Sequence, residues 1–232
     1  MTSTTFDVIA AACTAVVSLG LGGVFFRQHR ARQRTHALWW SIAFLVIGAA
    51  TVLQVAAFAT GGFSSASFRA YALLAAAVPG LMGVGSMYLL WPRRALAYTI
   101  LILALVVMTA VGALGGPEHA AMLTRVAYAS RQVTLVLPST LTLLGFALLG
   151  AIGAAALVLG ALWSWWRTRF VFNLGIAAGG IVFSLADTLA AYGIPALFFV
   201  AEIAGVLLIY WAVVNSHAPQ RAEIPAHAGV RS

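Results

Sequence analysis

The sequence predicts an all-α integral membrane protein, a seven-transmembrane-helix bundle with its N-terminus outside and its C-terminus in the cytoplasm. Three observations carry this expectation. The chain is 62% hydrophobic and only 8% charged, whereas a soluble domain carries about 25% charged residues and cannot cover a water-facing surface with fewer. Its apolar runs last about 20 residues or more, enough for hydrocarbon about 30 Å thick. The runs do not alternate and are twice the length of a barrel strand, so strands are not the means of crossing. Mean hydropathy is +1.00. A multi-pass location in the cell membrane follows.

Spans are predicted at 6–26, 37–59, 68–90, 95–114, 136–163, 170–191 and 195–214, forming one membrane domain over 1–215. The remainder, 216–232, contains Pro219, Pro225 and Gly229 and reads as a disordered cytoplasmic tail. No room is left for a soluble catalytic domain.

Before the first span, Met1–Asp7 has no basic segment, and the run is followed at once by Arg27, Arg30, Arg32 and Arg34. It reads as a retained span and not a cleaved signal peptide. The arginine-rich loop is an orientation signal that also suits anionic lipids at the cytoplasmic face, or a docking partner. Nothing in it completes a metal site around His29 and His36.

The net charge of +8 comes from 13 basic residues, every one of them Arg. They sit in short loops beside apolar runs, so no nucleic-acid partner is expected. Arg27, Arg30, Arg32, Arg34, Arg93, Arg94, Arg167, Arg169, Arg221 and Arg231 fall on one side, and Arg69, Arg125 and Arg131 on the other. This bias orients the chain. Trp39, Trp40, Trp91, Trp163, Trp165, Trp166 and Trp211 agree, all at cytoplasmic ends, while Phe63, Phe68, Tyr71, Tyr128 and Tyr192 mark outer ends.

The third span contains Pro79-Gly80, then Gly83 and Gly85, which predicts a kink or a tight helix crossing. After the fourth comes the longest outer connection, 115–135. Its apolar set Met122, Val126, Ala129 and Val133 suits a short amphipathic helix on the outer surface. The fifth span has Gly145, Gly150, Gly153 and Gly160, and the sixth has Gly175 and Gly179. Small residues at these spacings permit close contact, within the bundle or in a homo-oligomer or partner complex. The single cysteine, Cys13, excludes an internal disulfide and CxxC chemistry.

The sixth and seventh spans hold the two acids expected within hydrocarbon, Asp187 and Glu202, on either side of the turn at 192–195. Counting from that turn places them roughly 9 and 11 Å below the same face. Ser184, Asp187, Thr188 and Tyr192 form one stripe. Gln54 is expected about 9 Å inside the outer end of the second span, and Arg69 and Arg131 near the outer ends of the third and fifth. All of these could converge on one polar pocket.

Such a set can be an ion-pair network of Arg69 with either acid, or a substrate or proton pathway. The sequence reading favours a small-molecule carrier, with proton coupling as an option. A non-catalytic membrane subunit or sensor is the first alternative. The second is an intramembrane enzyme acting on a lipid or isoprenoid, such as a terpenoid cyclase or lipid hydrolase, although no nucleophile–base pair supports it. An enzyme is therefore the less favoured class, with no catalytic residue, metal or cofactor assigned. The chain has no lysine for a retinal Schiff base, no histidine at mid-depth for haem, and no glycine-rich nucleotide motif or HExxH.

An offset of 133 positions superposes Arg34 on Arg167, Thr35 on Thr168, Gln54 on Asp187 and Arg69 on Glu202. It implies a 3+1+3 parallel repeat with the fourth span as linker. In that layout the chain resembles the seven-span sugar carriers of the SWEET type, which also place the N-terminus outside. Their Pro-Gln pair in the first span of each triplet is missing, because the first span has no Pro and Pro219-Gln220 lies in the tail.

Overall fold

A computed structural model describes residues 5–119, 121, 123, 133, 135–191 and 195–215, with side chains except at 6, 7, 187–191, 195–197 and 214. The described residues form seven long helices: α1 (Thr5–Arg32), α2 (Thr35–Thr60), α3 (Ser65–Leu90), α4 (Pro92–Gly115), α5 (Thr140–Thr168), α6 (Val171–Ala191) and α7 (Pro195–Asn215). The first five are each long and apolar enough to cross a bilayer. The other two are 21 residues each. The protein is a multi-pass helical membrane protein.

Helix ends follow local chemistry. α2 stops at Gly61 in the left-handed region, φ 81°, where a side chain would be strained. The Ser64 hydroxyl accepts from the Ser67 backbone N–H at 3.2 Å, satisfying a donor at the start of α3. Pro92 opens α4, where its missing N–H costs nothing.

One expectation about α1 is corrected. Arg27, Arg30 and Arg32, read as loop residues, lie on helix, and only Gln33 and Arg34 separate α1 from α2. Basic side chains in a last turn complement the helix dipole, so the helix runs on past its apolar stretch. All three are exposed, as are Arg93, Arg94, Arg167 and Arg169.

Six helices close a ring in the order α1, α2, α3, α5, α6, α7 and back to α1, while α4 packs outside it against α3 and α5. Such a layout is compatible with two parallel triplets around a linker. Phe25, Phe44, Ile47, Leu81, Leu157 and Val206 form part of the largest core cluster. Trp40, expected at the interface, is 6% exposed and belongs to that core. Gly85 makes room for it, since a Cβ there would meet the indole.

The kink residue Pro79 lies inside α3, and its backbone packs on Gly153 of α5. On the neighbouring helix α4, the Tyr98 hydroxyl donates to the Ile152 carbonyl at 3.1 Å. α6 and α7 meet through Gly179 and Gly205, whose backbones touch. These contacts place Gly85, Gly153 and Gly179 at helix contacts within the bundle itself. The tail, 216–232, and most of the expected surface helix lie outside the described residues; of that helix's apolar set, Val133 is described and is 1% exposed.

Candidate functional site

A cavity of about 510 Å³ lies inside the ring, walled by α2, α3, α5, α6 and α7. Its polar groups gather toward the end of the bundle that carries the α2–α3 turn. Gln54 and Tyr71 stand about 9 Å from the ends of their helices at that turn, and Ser184 and Glu202 about 10 Å from theirs, at 1.5 Å rise per residue. Thr51 follows one turn deeper. Below them the wall is apolar, with Ile47, Met82, Leu157 and Ile209.

The local bonding leaves these groups in defined states. The Gln54 side-chain amide donates to the Tyr71 hydroxyl at 2.9 Å, joining α2 to α3. Thr51 donates to the Ile47 carbonyl at 2.9 Å, and Ser184 donates to the Gly180 carbonyl at 2.9 Å, each within its own helix. Gln54 and Glu202 are buried, at 2% and 7% exposure. Four rings, Tyr71, Phe146, Phe183 and Phe198, complete the wall.

Pro79 also reaches the cavity, as does Ala75 one turn before it. Proline has no N–H, so it cannot donate to the Ala75 carbonyl as another residue at this position of the helix would. On α5, Gly150 lines the cavity with open space where its Cβ would be. Leu143 is 53% exposed, and Ala147 and Ser184 are also exposed. All four residues line the cavity. It therefore opens sideways between α5 and α6, above the contact of Gly180 with Leu157 and Val158.

Of the residues singled out from sequence, the cavity unites Gln54, Ser184 and Glu202. Asp187 and Thr188 are on α6, with side chains outside the described set; Arg131 and Tyr192 are outside it altogether. Tyr71 was read only as an interfacial aromatic, and its burial at 5% is what brings it to Gln54. From the fifth span only Arg131 was expected, and the wall that α5 itself contributes, from Leu143 to Leu157, was not anticipated.

Arg69 departs from expectation. It was read as a partner for the membrane acids, but its guanidinium pairs with Glu118 at 2.8 Å. It also donates to the carbonyls of Ala113, Leu114 and Gly116, and it is not among the residues lining the cavity. The cause is its place one turn into α3. From there a long side chain reaches the helix end, where the last carbonyls of α4 have no helical donors.

This latch makes a prediction. Arg69→Ala is expected to lower stability by about 2 kcal/mol, the scale of charge-assisted hydrogen bonds lost in a partly exposed site. Glu118→Ala should cost less, because Arg69 keeps its carbonyl acceptors. The double substitution should be no worse than Arg69→Ala alone in thermal denaturation in detergent, and additive losses would contradict the latch.

Comparison of the chain with family models, curated proteins and solved structures finds no match. Among the described residues no cluster of His, Cys, Asp and Glu is suited to a metal ion.

Proposed function

We propose that the protein is a small-molecule carrier and that the central cavity is its substrate site. The observation that carries this reading is the cavity itself: a ligand-sized space within a membrane bundle, with Gln54, Tyr71, Ser184 and Glu202 at one depth. Pockets of about 300–1,000 Å³, mostly apolar with a few convergent polar groups, are the usual form of small-molecule sites. A carboxyl among transmembrane helices is also the type of group that loads and unloads a proton, so coupling to protons belongs to the same proposal.

In this reading α6 and α7 complete seven spans. The arginine bias sets the N-terminus outside, and the polar end of the cavity faces that side. The exposed arginines at the opposite end of the bundle bind anionic headgroups at the cytoplasmic leaflet. Movement is centred on the crossing of α3 and α5, where Pro79 weakens the helix next to the cavity.

Flux of a panel of labelled neutral, anionic and cationic solutes into proteoliposomes tests the proposal. At least one class is expected to move faster than in protein-free vesicles. No flux in any class contradicts the reading. The apolar lower wall and sideways opening also favour a second reading, an intramembrane enzyme acting on a lipid or isoprenoid. A chemically altered product, with no net movement of the starting compound, would select it.

A further inference from the structure

We infer that the cavity takes a single-chain amphiphile, an apolar chain under a compact uncharged head, and that this ligand enters sideways from the outer leaflet. The inference rests on the cavity being a ligand site and adds the class of molecule it holds.

The opening lies at the depth of one leaflet. Leu143, Ala147 and Ser184 line the cavity and are exposed, and Gly150 lines it beside them. On α5 this stretch runs from roughly 5 to roughly 15 Å below the start of the helix, and Ser184 stands roughly 10 Å from the end of α6. α5 starts beside the end of α4, where Gly112 meets Thr142, and Arg69 ties that end to the start of α3. The opening is therefore on the side of the α2–α3 turn, which the arginine bias makes the outer one. Deeper, Gly180 closes against Leu157 and Val158. The outward faces beside the opening carry Leu144, Leu148, Ile181 and Leu185, all exposed. An opening so framed meets lipid chains.

Inside, the cavity is graded in the same sense as that leaflet. Gln54, Tyr71, Ser184 and Glu202 stand roughly 10 Å from the helix ends, and Ile47, Met82, Leu157 and Ile209 roughly 20 to 26 Å from them. A lipid of the outer leaflet holds its head high and its chain low, so it slides in without turning over. The volume of about 510 Å³ is that of a site for a drug-sized ligand, which suits one chain.

The head is assigned from charge. Tyr71 and Glu202 already have partners within the protein, and Arg69 is paired with Glu118 away from the cavity. None of the described lining residues is basic. An ionic head would reach this depth without a free counter-charge, at high cost. A hydroxyl-bearing head needs none. Ser184, at the opening, gives its own proton to the Gly180 carbonyl and can accept one from such a head.

A monoacylglycerol with a diazirine at the end of its chain tests this on the full-length protein in liposomes, with photolabelled residues located by mass spectrometry. Label is expected on the lower wall, at Met82 and Leu157, and excess plain monoacylglycerol should displace it. Label on the exposed residues Ile100 and Val107 of α4 marks ordinary bilayer contact and should persist. At Gly150 a Cβ meets no atom within 4 Å, so Gly150→Phe should block the opening without a backbone clash. Ala147→Phe gives a second block at the exposed rim. Both should remove most of the lower-wall label and leave that on α4. Label confined to outward faces, lower-wall label that is not displaced, or lower-wall label untouched by both variants would each overturn the inference. Equal lower-wall labelling by a water-soluble diazirine without the chain would do so too. The outcome separates from the carrier reading. Displaceable lower-wall label without flux removes the carrier and keeps the ligand class, whereas flux of a water-soluble solute with label only on outward faces does the reverse.

Discussion

Gly153→Val is expected to abolish the folded bundle or to lower its stability by about 3 kcal/mol or more, the upper range for overpacking a close-packed site. A Cβ at position 153 would collide with the Pro79 carbonyl group and come within 2.5 Å of the Gly80 nitrogen. Both obstacles are backbone, so no rotamer change relieves the clash. The helices would have to separate, and with them the seam of α3 and α5 that walls the cavity. Membrane helices associate by close packing without a hydrophobic drive, so lost contact is not recovered elsewhere. Gly150→Val, one turn earlier on the same helix, meets open space and should fold normally. Size-exclusion profiles and thermal denaturation of both variants in detergent decide the matter. A well-folded Gly153→Val would contradict the crossing.

Glu202→Gln has the largest expected functional effect. Glutamine keeps the shape of the side chain and removes its ionisable group, so the buried position is still filled. Flux of the transported solute should fall at least about tenfold, a loss of about 1.4 kcal/mol or more. The melting temperature should stay within about 3 °C of the parent, under 1 kcal/mol for a protein of this size. Collapse of the fold with no effect on flux in the surviving protein would make Glu202 a structural group only.

Helix positions were legible in the sequence because hydrocarbon sets span length and turns interrupt it. α2, α3, α6 and α7 begin and end within three residues of their predicted limits. Depth was legible in part: counting from the turn put Glu202 roughly 11 Å below the outer face, and the cavity holds Glu202 together with Gln54 and Ser184. The direction each residue faces around its helix was not. In a membrane protein both the lipid face and the packed face are apolar, so hydrophobic pattern does not distinguish them. Trp40 read as interfacial and is buried in the core for that reason. Tyr71 read the same way and lines the cavity. Arg69 has the right depth for the acids, but its partner Glu118 sits in a connection whose path no periodicity reveals. The part played by α5 was hidden among glycines that serve packing at 153 and openness at 150.

Thiol accessibility tests the carrier reading most directly, since it needs no knowledge of the substrate. With Cys13→Ser removing the exposed native thiol, Thr51→Cys places a reporter in the cavity wall. It lies about 14 Å from one end of α2 and about 24 Å from the other. A membrane-impermeant methanethiosulfonate is then applied to sealed vesicles of defined orientation. A carrier exposes its site to each side in turn, so modification is expected from both faces. Modification from one face alone, or from neither, would contradict it.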